Sequence, residues 1–170
     1  MTVVGVVSDT HLPRFGRALP RALDAGLRAA AVERIVHCGD FTDPIAADLF
    51  EEIAPFDAVA GNNDGAELVR RFGRKKVLTI EDVRLGLVHG DEGRSNAERN
   101  ALAAFADASV DVLCFGHSHR PCAEQHGSLL LLNPGSPTDK RVMPTYSYAI
   151  LRIDGNRAAA ELHSFTDRSI

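Results

Sequence analysis

Two histidines stand two residues apart directly after a short apolar run. The run extends from Val112 to Phe115 and stops at Gly116, and His117 and His119 follow. Such a run predicts a buried strand, and in extended backbone alternate side chains leave on the same side. Both imidazoles are therefore expected to project into one space beyond the carboxyl end of the strand, where open α/β folds bind ligands. Metal or phosphate binding is one interpretation, and a polar loop that happens to hold two histidines is the other.

Side chains of the same chemical character follow four further apolar runs. Each is a carboxylate, an amide or an imidazole, and most have a glycine beside them, which lets the backbone turn sharply. In chain order they are Asp9 and His11, Asp40, Asn62 and His89. Any one of them has an ordinary structural explanation, such as a turn cap or a half-buried histidine. Together with the first pair they make seven ligand-type residues at five strand ends, which argues against accident.

The composition of this set favours two metal ions over one. Two carboxylates, four histidines and one amide exceed the roughly four ligands of an ordinary zinc site, but they suffice for two ions if one carboxylate bridges. Ligation by oxygen and nitrogen without thiolate suits divalent first-row metals. We expect the site to bind two divalent ions. Mn²⁺ is the first candidate, and Ni²⁺, Fe²⁺, Zn²⁺ or Mg²⁺ are the alternatives. Two ions about 3.5–4 Å apart clamp an in-line displacement at phosphorus.

The elements that must position these residues can be predicted from apolar runs and helical spacing. Strands are predicted at Val3–Val7, Arg34–His37, Phe56–Ala60, Lys76–Ile80, Val83–His89, Val112–Phe115, Leu129–Leu132, Tyr146–Ile153 and Arg157–Phe165. Helices are predicted over 19–31, from Asp43 as N-cap to about Ile53, and from Arg94 to about Ala106. The order β-α-β-α-β, more strands, one helix and an antiparallel finish predicts an α/β fold. We expect a two-sheet β-sandwich of mixed strands flanked by helices (α/β/β/α), forming a single domain over residues 1–170.

Composition narrows the partners and the compartment. The chain has 170 residues, 25% of them charged, and a net charge of −4, which gives no reason to expect binding to long nucleic acid. A small anionic substrate remains compatible with local cations or metals. The apolar N-terminus lacks a basic start and a cleavage site, and no run is long enough to span a membrane, so no membrane partner is expected. Three cysteines without Cys-x-x-Cys spacing suit reduced thiols in the cytoplasm.

Five ordered motifs carry a family resemblance. They are Asp9-x-His11, Gly39-Asp40, Gly61-Asn62-x-Asp64, His89-Gly90 and Gly116-His117-x-His119, followed by Asn133-Pro-Gly-Ser136. From Val3 to about Ile153 the chain resembles the calcineurin-like metallophosphoesterase superfamily, in particular its compact single-domain prokaryotic phosphodiesterase branch. The resemblance implies a dinuclear phosphodiesterase of small phosphoesters, in which a hydroxide bridging the metals attacks phosphorus in line.

The resemblance also implies a division of the ligands. Asp9, His11 and His119 would hold one metal. Asn62, His89 and His117 would hold the other, and Asp40 would bridge both.

The chain departs from the family pattern at two positions that bear on catalysis. Many relatives have histidine where this chain has Asn63, and an amide can hydrogen-bond phosphate but does not donate a proton usefully. Many also have histidine where Asp91 stands, and an aspartate beside phosphate needs a partner, for which Arg94 is a candidate. Asn63 and Arg94 are the candidate substrate contacts. Asp64 is expected to orient the loop or a ligand histidine.

Two other functions remain open at this point. The compact fold also resembles the retromer scaffold subunit, which binds partner proteins and has lost part of the metal set. All seven ligand positions here keep ligand-competent residues, which favours the enzyme. A nuclease of the DNA-repair type fits less well with the acidic charge and the lack of an added DNA-binding domain. Exposed strand edges late in the chain permit a homodimer.

Overall fold

The chain folds into two five-stranded sheets with helices outside them, in a computed structural model that describes residues 1–170. In chain order the elements are β1 (Thr2–Val7), α1 (Arg21–Ala29), β2 (Arg34–His37), α2 (Pro44–Glu51), β3 (Phe56–Ala58), α3 (Ala66–Phe72), β4 (Lys75–Ile80), β5 (Val83–Val88), α4 (Ala97–Ala104), β6 (Val112–Cys114), β7 (Cys122–His126), β8 (Leu129–Asn133), β9 (Tyr146–Asp154) and β10 (Arg157–Phe165). No helix among the four is long and apolar enough to pass through a membrane.

Both sheets mix parallel and antiparallel strands: the first has one antiparallel edge, and the second has an antiparallel strand at each edge. The first sheet runs β10-β9-β1-β2-β3, with β1, β2 and β3 parallel. The second runs β4-β5-β6-β8-β7, with β5, β6 and β8 parallel. Since parallel strands end at the same edge of a sheet, the segments after β1, β2 and β3 leave one edge together, as do those after β5 and β6.

Alternating side chains build the layers. Val4 and Val6 of β1 face the second sheet and pack in one core with Leu85 and Leu87. Residues on the opposite face of β1 pack under α1, α2 and α3 in a second core. A third core fixes α4 to the outer face of the second sheet. The order helix–sheet–sheet–helix confirms the predicted α/β/β/α sandwich.

Helices α2 and α4 each begin directly after a residue whose side chain caps the first turn. The side chain of Asp43 accepts a hydrogen bond from Ile45 N at 2.9 Å, which confirms it as the N-cap of α2. The fourth helix begins at Ala97, not at Arg94 as predicted, because the side chain of Asn96 accepts from Arg99 N and so caps the first turn.

Two elements were not predicted, and several were predicted one or more residues too long, β3 among them. Helix α3 has only seven residues and buries only Leu68 and Phe72, too few to show a helical period. Strand β7 is an edge strand whose side chains are mostly exposed, so it lacks apolar alternation. Strand β3 ends at Ala58, two residues before the predicted end, although Val59 and Ala60 are buried in the loop that follows.

The packing of α1 on the first sheet depends on a small residue. A Cβ at Gly26 would overlap the hydroxyl oxygen of Tyr148, whose ring is buried and stacked on His163. We expect Gly26→Ala to lower the free energy of unfolding by about 1–3 kcal/mol, since overpacking displaces the ring or the helix. Denaturant titration measures this.

Gly65→Ala is the matched control for this substitution. A Cβ there meets nothing within 4 Å, so only the weaker N-cap preference of alanine at the start of α3 counts, and the loss should stay below about 1 kcal/mol. Equal stability of the two variants would show that Tyr148 does not confine α1.

Candidate functional site

Backbone hydrogen bonds join the segments that follow β1 and β2. Asp9 N donates to Gly39 O at 3.0 Å, and His11 N donates to Asp40 O at 3.0 Å. These two bonds continue the parallel pairing beyond the strands, so the two segments leave the sheet side by side. The carboxylates of Asp9 and Asp40 are thereby brought close together with almost no exposed surface, 0% and 1%.

The segments after β5 and β6 are joined in the same way and then meet the first sheet. Gly116 N donates to His89 O at 3.0 Å. Across the two sheets, His117 N donates to Asp9 Oδ2 at 2.9 Å. The polar residues that follow five strands therefore converge between the two sheets, as their positions in the sequence predict.

One group of ligand-type atoms consists of Asp9, His11 and His119. Asp9 Oδ1 lies 3.2 Å from His119 Nε2 and 3.8 Å from His11 Nε2. The two Nε2 atoms are 3.4 Å apart. All three residues are buried, and one donor atom of each lies within 4.8 Å of the others.

A second group, formed by Asp40, His89 and His117, lies beside the first. His89 Nε2 is 3.3 Å from Asp40 Oδ2, and the rings of His89 and His117 are 5.1 Å apart. Asn62 Oδ1 is 3.1 Å from His117 Nδ1, which adds the amide to this group. Asp40 Oδ2 is also 3.9 Å from His11 Nε2, so Asp40 stands between the two groups.

The donor atoms fit divalent metal ions. Asp9 Oδ1 and His89 Nε2 are buried and have no hydrogen-bond partner, a costly state for polar atoms unless a ligand satisfies them. The opposite nitrogens are engaged: His89 Nδ1 lies 2.7 Å from Cys38 O, and His119 Nδ1 lies 2.6 Å from Asp139 O. Carbonyl partners of this kind fix ring orientation and direct Nε2 inward, as around metal-binding histidines.

Charge pairing governs the protonation of the acidic and basic members. Burial opposes the charge on Asp9 and Asp40, but their histidine partners hold the pKa of both carboxyls below the ordinary value. Burial likewise opposes a charge on His89, yet the close contact with the Asp40 carboxylate and the charge of Asp9 raise its pKa to about 9. The pKa of His119 is also raised, since the nearby charge of Asp9 outweighs burial.

The backbone at the two histidines after β6 differs from the prediction. His117 and His119 have φ angles of 66° and 57°, so the segment is not extended. Ser118 N donates to Gly116 O at 2.8 Å, and the chain turns there. The two rings reach different groups because of this turn. Positive φ also occurs at Asp9, His11 and Asp40, so five of the seven ligand-type residues share this strained conformation.

Two glycines let the segments approach one another. A Cβ at Gly39, whose φ is +97°, would lie 2.8 Å from both Gly61 N and His89 Nδ1. At Gly116 a Cβ would overlap the Ser8 hydroxyl and lie 2.7 Å from Asp9 Oδ2. No other residue type fits either place without moving a ligand-type side chain.

Asp64 orients the segment after β2, as predicted. Its carboxylate accepts hydrogen bonds from three backbone N–H groups: Asp40 at 2.8 Å, Thr42 at 2.6 Å and Gly61 at 2.7 Å. The carboxylate is buried and lies under Asp40, so it fixes the backbone from which the Asp40 side chain projects.

Asn63 and Asp91 lie at the site, but their partners are not all those expected. Asn63 contacts Asp40 twice, with its backbone N 2.8 Å from Oδ1 and its Nδ2 2.6 Å from Oδ2. Asp91 faces Arg74, with 3.9 Å between the charged groups, and the expected partner Arg94 forms no ion pair. The reason is that Arg74 follows α3, which the sequence did not reveal, and reaches Gly61 O and Asp91 together.

Three residues after β8 contact Asp9 or His119, although none of them was predicted to belong to the site. The hydroxyl groups of Ser136 and Thr138 donate to Asp9 O at 2.8 and 3.2 Å. Asp139 O accepts from His119. The motif Asn133-Pro-Gly-Ser136 was the available signal for this segment, but nothing in it indicates contact with residues near the N-terminus.

His37 joins the two segments of the first sheet from below. It is fully buried against Phe41, Phe50 and Phe56, and burial lowers its pKa to about 3, so the ring stays neutral. Its Nδ1 accepts from Gly39 N, and its Nε2 lies 3.1 Å from Thr10 Oγ1.

This fold with two adjacent groups of carboxylate and imidazole donors defines the class of metal-dependent phosphoesterases. A model of the calcineurin-like phosphoesterase superfamily domain matches residues 1–156, and the chain belongs to that family. The predicted resemblance is therefore confirmed.

Relatives extend over most of the chain. It is 36% identical over 164 residues to a probable metallophosphoesterase of Methanothermobacter thermautotrophicus, covering 94% of this chain and 91% of that protein. It is 30% identical over 146 residues to phosphodiesterase MJ0936 of Methanocaldococcus jannaschii, covering 78% and 82%. Zinc-complexed Vps29 of Entamoeba histolytica has the same fold at a TM-score of 0.78, with 23% identity, 96% of this chain and 99% of that chain covered.

Removing the acceptor under Asp40 should disturb both folding and the site. We expect Asp64→Asn to lower the free energy of unfolding by about 1–3 kcal/mol, because an amide has one acceptor oxygen where three N–H groups point. Mn²⁺ affinity, measured by calorimetry, should fall as well. Asp24→Asn at an exposed position of α1 is the control and should leave affinity unchanged. Unaltered Mn²⁺ affinity in Asp64→Asn would contradict the positioning role.

Metal uptake should release protons near neutral pH. Metal ions bind neutral imidazole, whereas the raised pKa of His89, about 9, keeps that ring protonated in the metal-free protein. Apparent Mn²⁺ affinity should therefore rise with pH, and calorimetry in buffers of different ionisation enthalpy should detect about one proton or more released. The release should fall above about pH 9, and His126→Asn, at an exposed position, should not change it. A release that is independent of pH would refute this expectation.

Proposed function

We propose that the protein is a dinuclear metal-dependent phosphodiesterase that acts on small phosphoesters. The observation that carries the proposal is the convergence of seven ligand-type residues into two adjacent groups, with Asp40 between them. Family membership and the named phosphodiesterase among the relatives support the reaction type.

In this proposal Asp9, His11 and His119 hold one ion, Asn62, His89 and His117 hold the other, and Asp40 contacts both. Donors of oxygen and nitrogen without thiolate suit Mn²⁺, with Ni²⁺, Fe²⁺, Zn²⁺ or Mg²⁺ as alternatives. When bound, two such ions lower the pKa of a nucleophilic water and neutralise charge on the phosphoryl oxygens.

The protein's own groups would orient the ligands and shape the site. Asp64 and Asn63 fix Asp40, one through its backbone and the other through both carboxylate oxygens. Since the Asn63 amide is directed at Asp40, it supports a ligand before it can contact substrate. Asp91 is held near Arg74. Neither Asn63 nor Asp91 is a proton donor at neutral pH, so good leaving groups should react faster than poor ones.

Three observations bear on the scaffold alternative and on the cellular compartment. The likeness to Vps29 is at 23% identity and shows the fold alone, so it does not favour a scaffold. A scaffold has no use for the full set of seven converging ligand-type residues, five of which are buried. All three cysteines are free thiols, which supports a reducing compartment such as the cytoplasm.

Asp40→Asn tests the proposal directly. The wild-type protein loaded with Mn²⁺, Ni²⁺, Zn²⁺ or Mg²⁺ should hydrolyse bis-p-nitrophenyl phosphate. Asp40→Asn should lower kcat/KM by more than the ~100-fold typical for losing an outer partner of a metal ligand, and it should reduce the bound metal found by elemental analysis. Asp24→Asn is the matched control and should keep full activity. A metal-loaded wild type that is inert on every ester would reject the enzyme in favour of the scaffold.

A further inference from the structure

The rim of the site beside the first ligand group is strongly basic. Phe15 packs edge-on to His11, with ring centroids 6.4 Å apart. The guanidinium groups of Arg14 and Arg168 lie over the Phe15 ring at 5.1 and 5.0 Å from its centroid. Cation–π contact of this kind holds a guanidinium in place while leaving its N–H groups free.

A third guanidinium reaches the same rim from the segment after β8. Arg141 Nη1 donates to His117 O at 3.3 Å, so its charge lies next to the two histidines after β6. Arg168 also donates to Thr138 O at 2.8 Å, which ties the Phe15 cluster to this segment. Arg141 is exposed, and its backbone has φ +49°, the same left-handed region as five ligand-type residues. We call Arg14, Arg141 and Arg168 with Phe15 the basic rim.

No carboxylate forms an ion pair with a guanidinium group of the basic rim, although Asp139 Oδ1 accepts a hydrogen bond from the backbone N of Arg141 at 3.3 Å. The ion pairs that lysine and arginine side chains form with carboxylates involve Arg28, Arg34, Arg71, Arg74 and Lys76. On the opposite side of the site, beside the second group, Asp91 and Glu92 both pair with Arg74. The site is therefore asymmetric, with guanidinium groups free of ion pairs on one side and two carboxylates facing Arg74 on the other.

The scissile phosphoryl group does not need this charge. Two divalent ions would carry four positive charges, and Asp9, Asp40 and the nucleophilic hydroxide would contribute three negative ones, so one positive charge would remain to match a singly charged phosphodiester. The guanidinium groups that lie outside the metal ligands would therefore pair with a second anionic group of the substrate. Their planar forks suit phosphate oxygens in particular.

We propose that the basic rim is a second phosphoryl subsite, and that the substrates are small phosphodiesters bearing another phosphate group near the scissile one. This rests on the proposed function for the chemistry but on the rim residues alone for recognition. The anionic end of the substrate lies over Arg14, Arg141 and Arg168, while the leaving group lies toward Asp91, where negative charge disfavours a second phosphate. The bound orientation follows from the polarity of the site.

A pair of substrates that differ by one phosphate tests the subsite. Thymidine 5′-(p-nitrophenyl phosphate) and its 3′-phosphorylated form have the same scissile bond and leaving group. We expect the Mn²⁺-loaded wild type to show a KM about tenfold lower for the 3′-phosphorylated ester, with similar kcat. Arg14→Ala and Arg141→Ala should each raise that KM about threefold, the scale of one exposed ion pair, and the double variant should remove the preference. Arg99→Ala, an exposed arginine of α4 without an ion pair, is the control and should retain the preference.

Binding separates failure of the subsite from failure of the enzyme. Calorimetry on the Mn²⁺-loaded protein with thymidine 3′,5′-bisphosphate and thymidine 5′-monophosphate reports the rim without any turnover. If neither ester is hydrolysed but the bisphosphate binds about tenfold tighter, and the double variant loses that margin, the proposed reaction fails and the subsite stands.

Equal affinity for the two nucleotides, or equal losses on both in the arginine variants, would overturn the subsite even in an active enzyme. Tighter binding of a thymidine oligonucleotide than of the bisphosphate, lost in the double variant, would also overturn it, because the rim would then serve nucleic acid.

Discussion

The structure depends on burying two carboxylates within hydrogen-bonding distance of several imidazoles. An unpaired buried carboxylate is expensive, so Asp9 and Asp40 persist at this depth only with partners on every side. Histidines approach them from both sheets, backbone N–H groups and Asn63 satisfy the remaining oxygens, and Asp64 fixes the chain beneath Asp40. The close glycines and the left-handed backbone at the ligand-type residues follow from this requirement, because ordinary loops would hold these groups too far apart.

The same arrangement explains why the site is asymmetric. The first ligand group lies beside the Phe15 cluster and the segment after β8, whose cations have no carboxylate partners. The second lies beside the segment after β5, where Asp91 and Glu92 face Arg74. Overall net charge, −4, gives no hint of this separation. The chain as a whole is acidic, yet unpaired guanidinium groups gather at one side of the site, and local charge is what a small ligand meets.

Much of the fold and of the site could be predicted because strands that are buried on both faces appear in the sequence as continuous apolar runs. Val3–Val7 and Val112–Phe115 stop at polar residues, so the strand ends and the ligand-type side chains were visible together. Asp43 and Pro44 likewise marked the start of α2. What could not be predicted lies in short or exposed elements and in contacts between distant segments. Helix α3 buries two side chains, and missing it hid Arg74 and assigned Asp91 to the wrong arginine. The family resemblance implied that His117 and His119 divide between two groups, but the extended backbone expected there was wrong, and a left-handed turn carries the two rings to different groups.

Each ligand group draws its members from both sheets. Asp9 and His11 follow β1 in the first sheet, while His119 follows β6 in the second; Asp40 follows β2, while His89 and His117 follow strands of the second sheet. An ion held by either group would therefore bind both sheets at once, adding to the apolar core and the few hydrogen bonds that join them. Ligand binding to the folded state adds to its stability, so a bound metal would stabilise the interface between the two sheets in particular. Removing the metal with a chelator would weaken that interface before it affected either sheet alone.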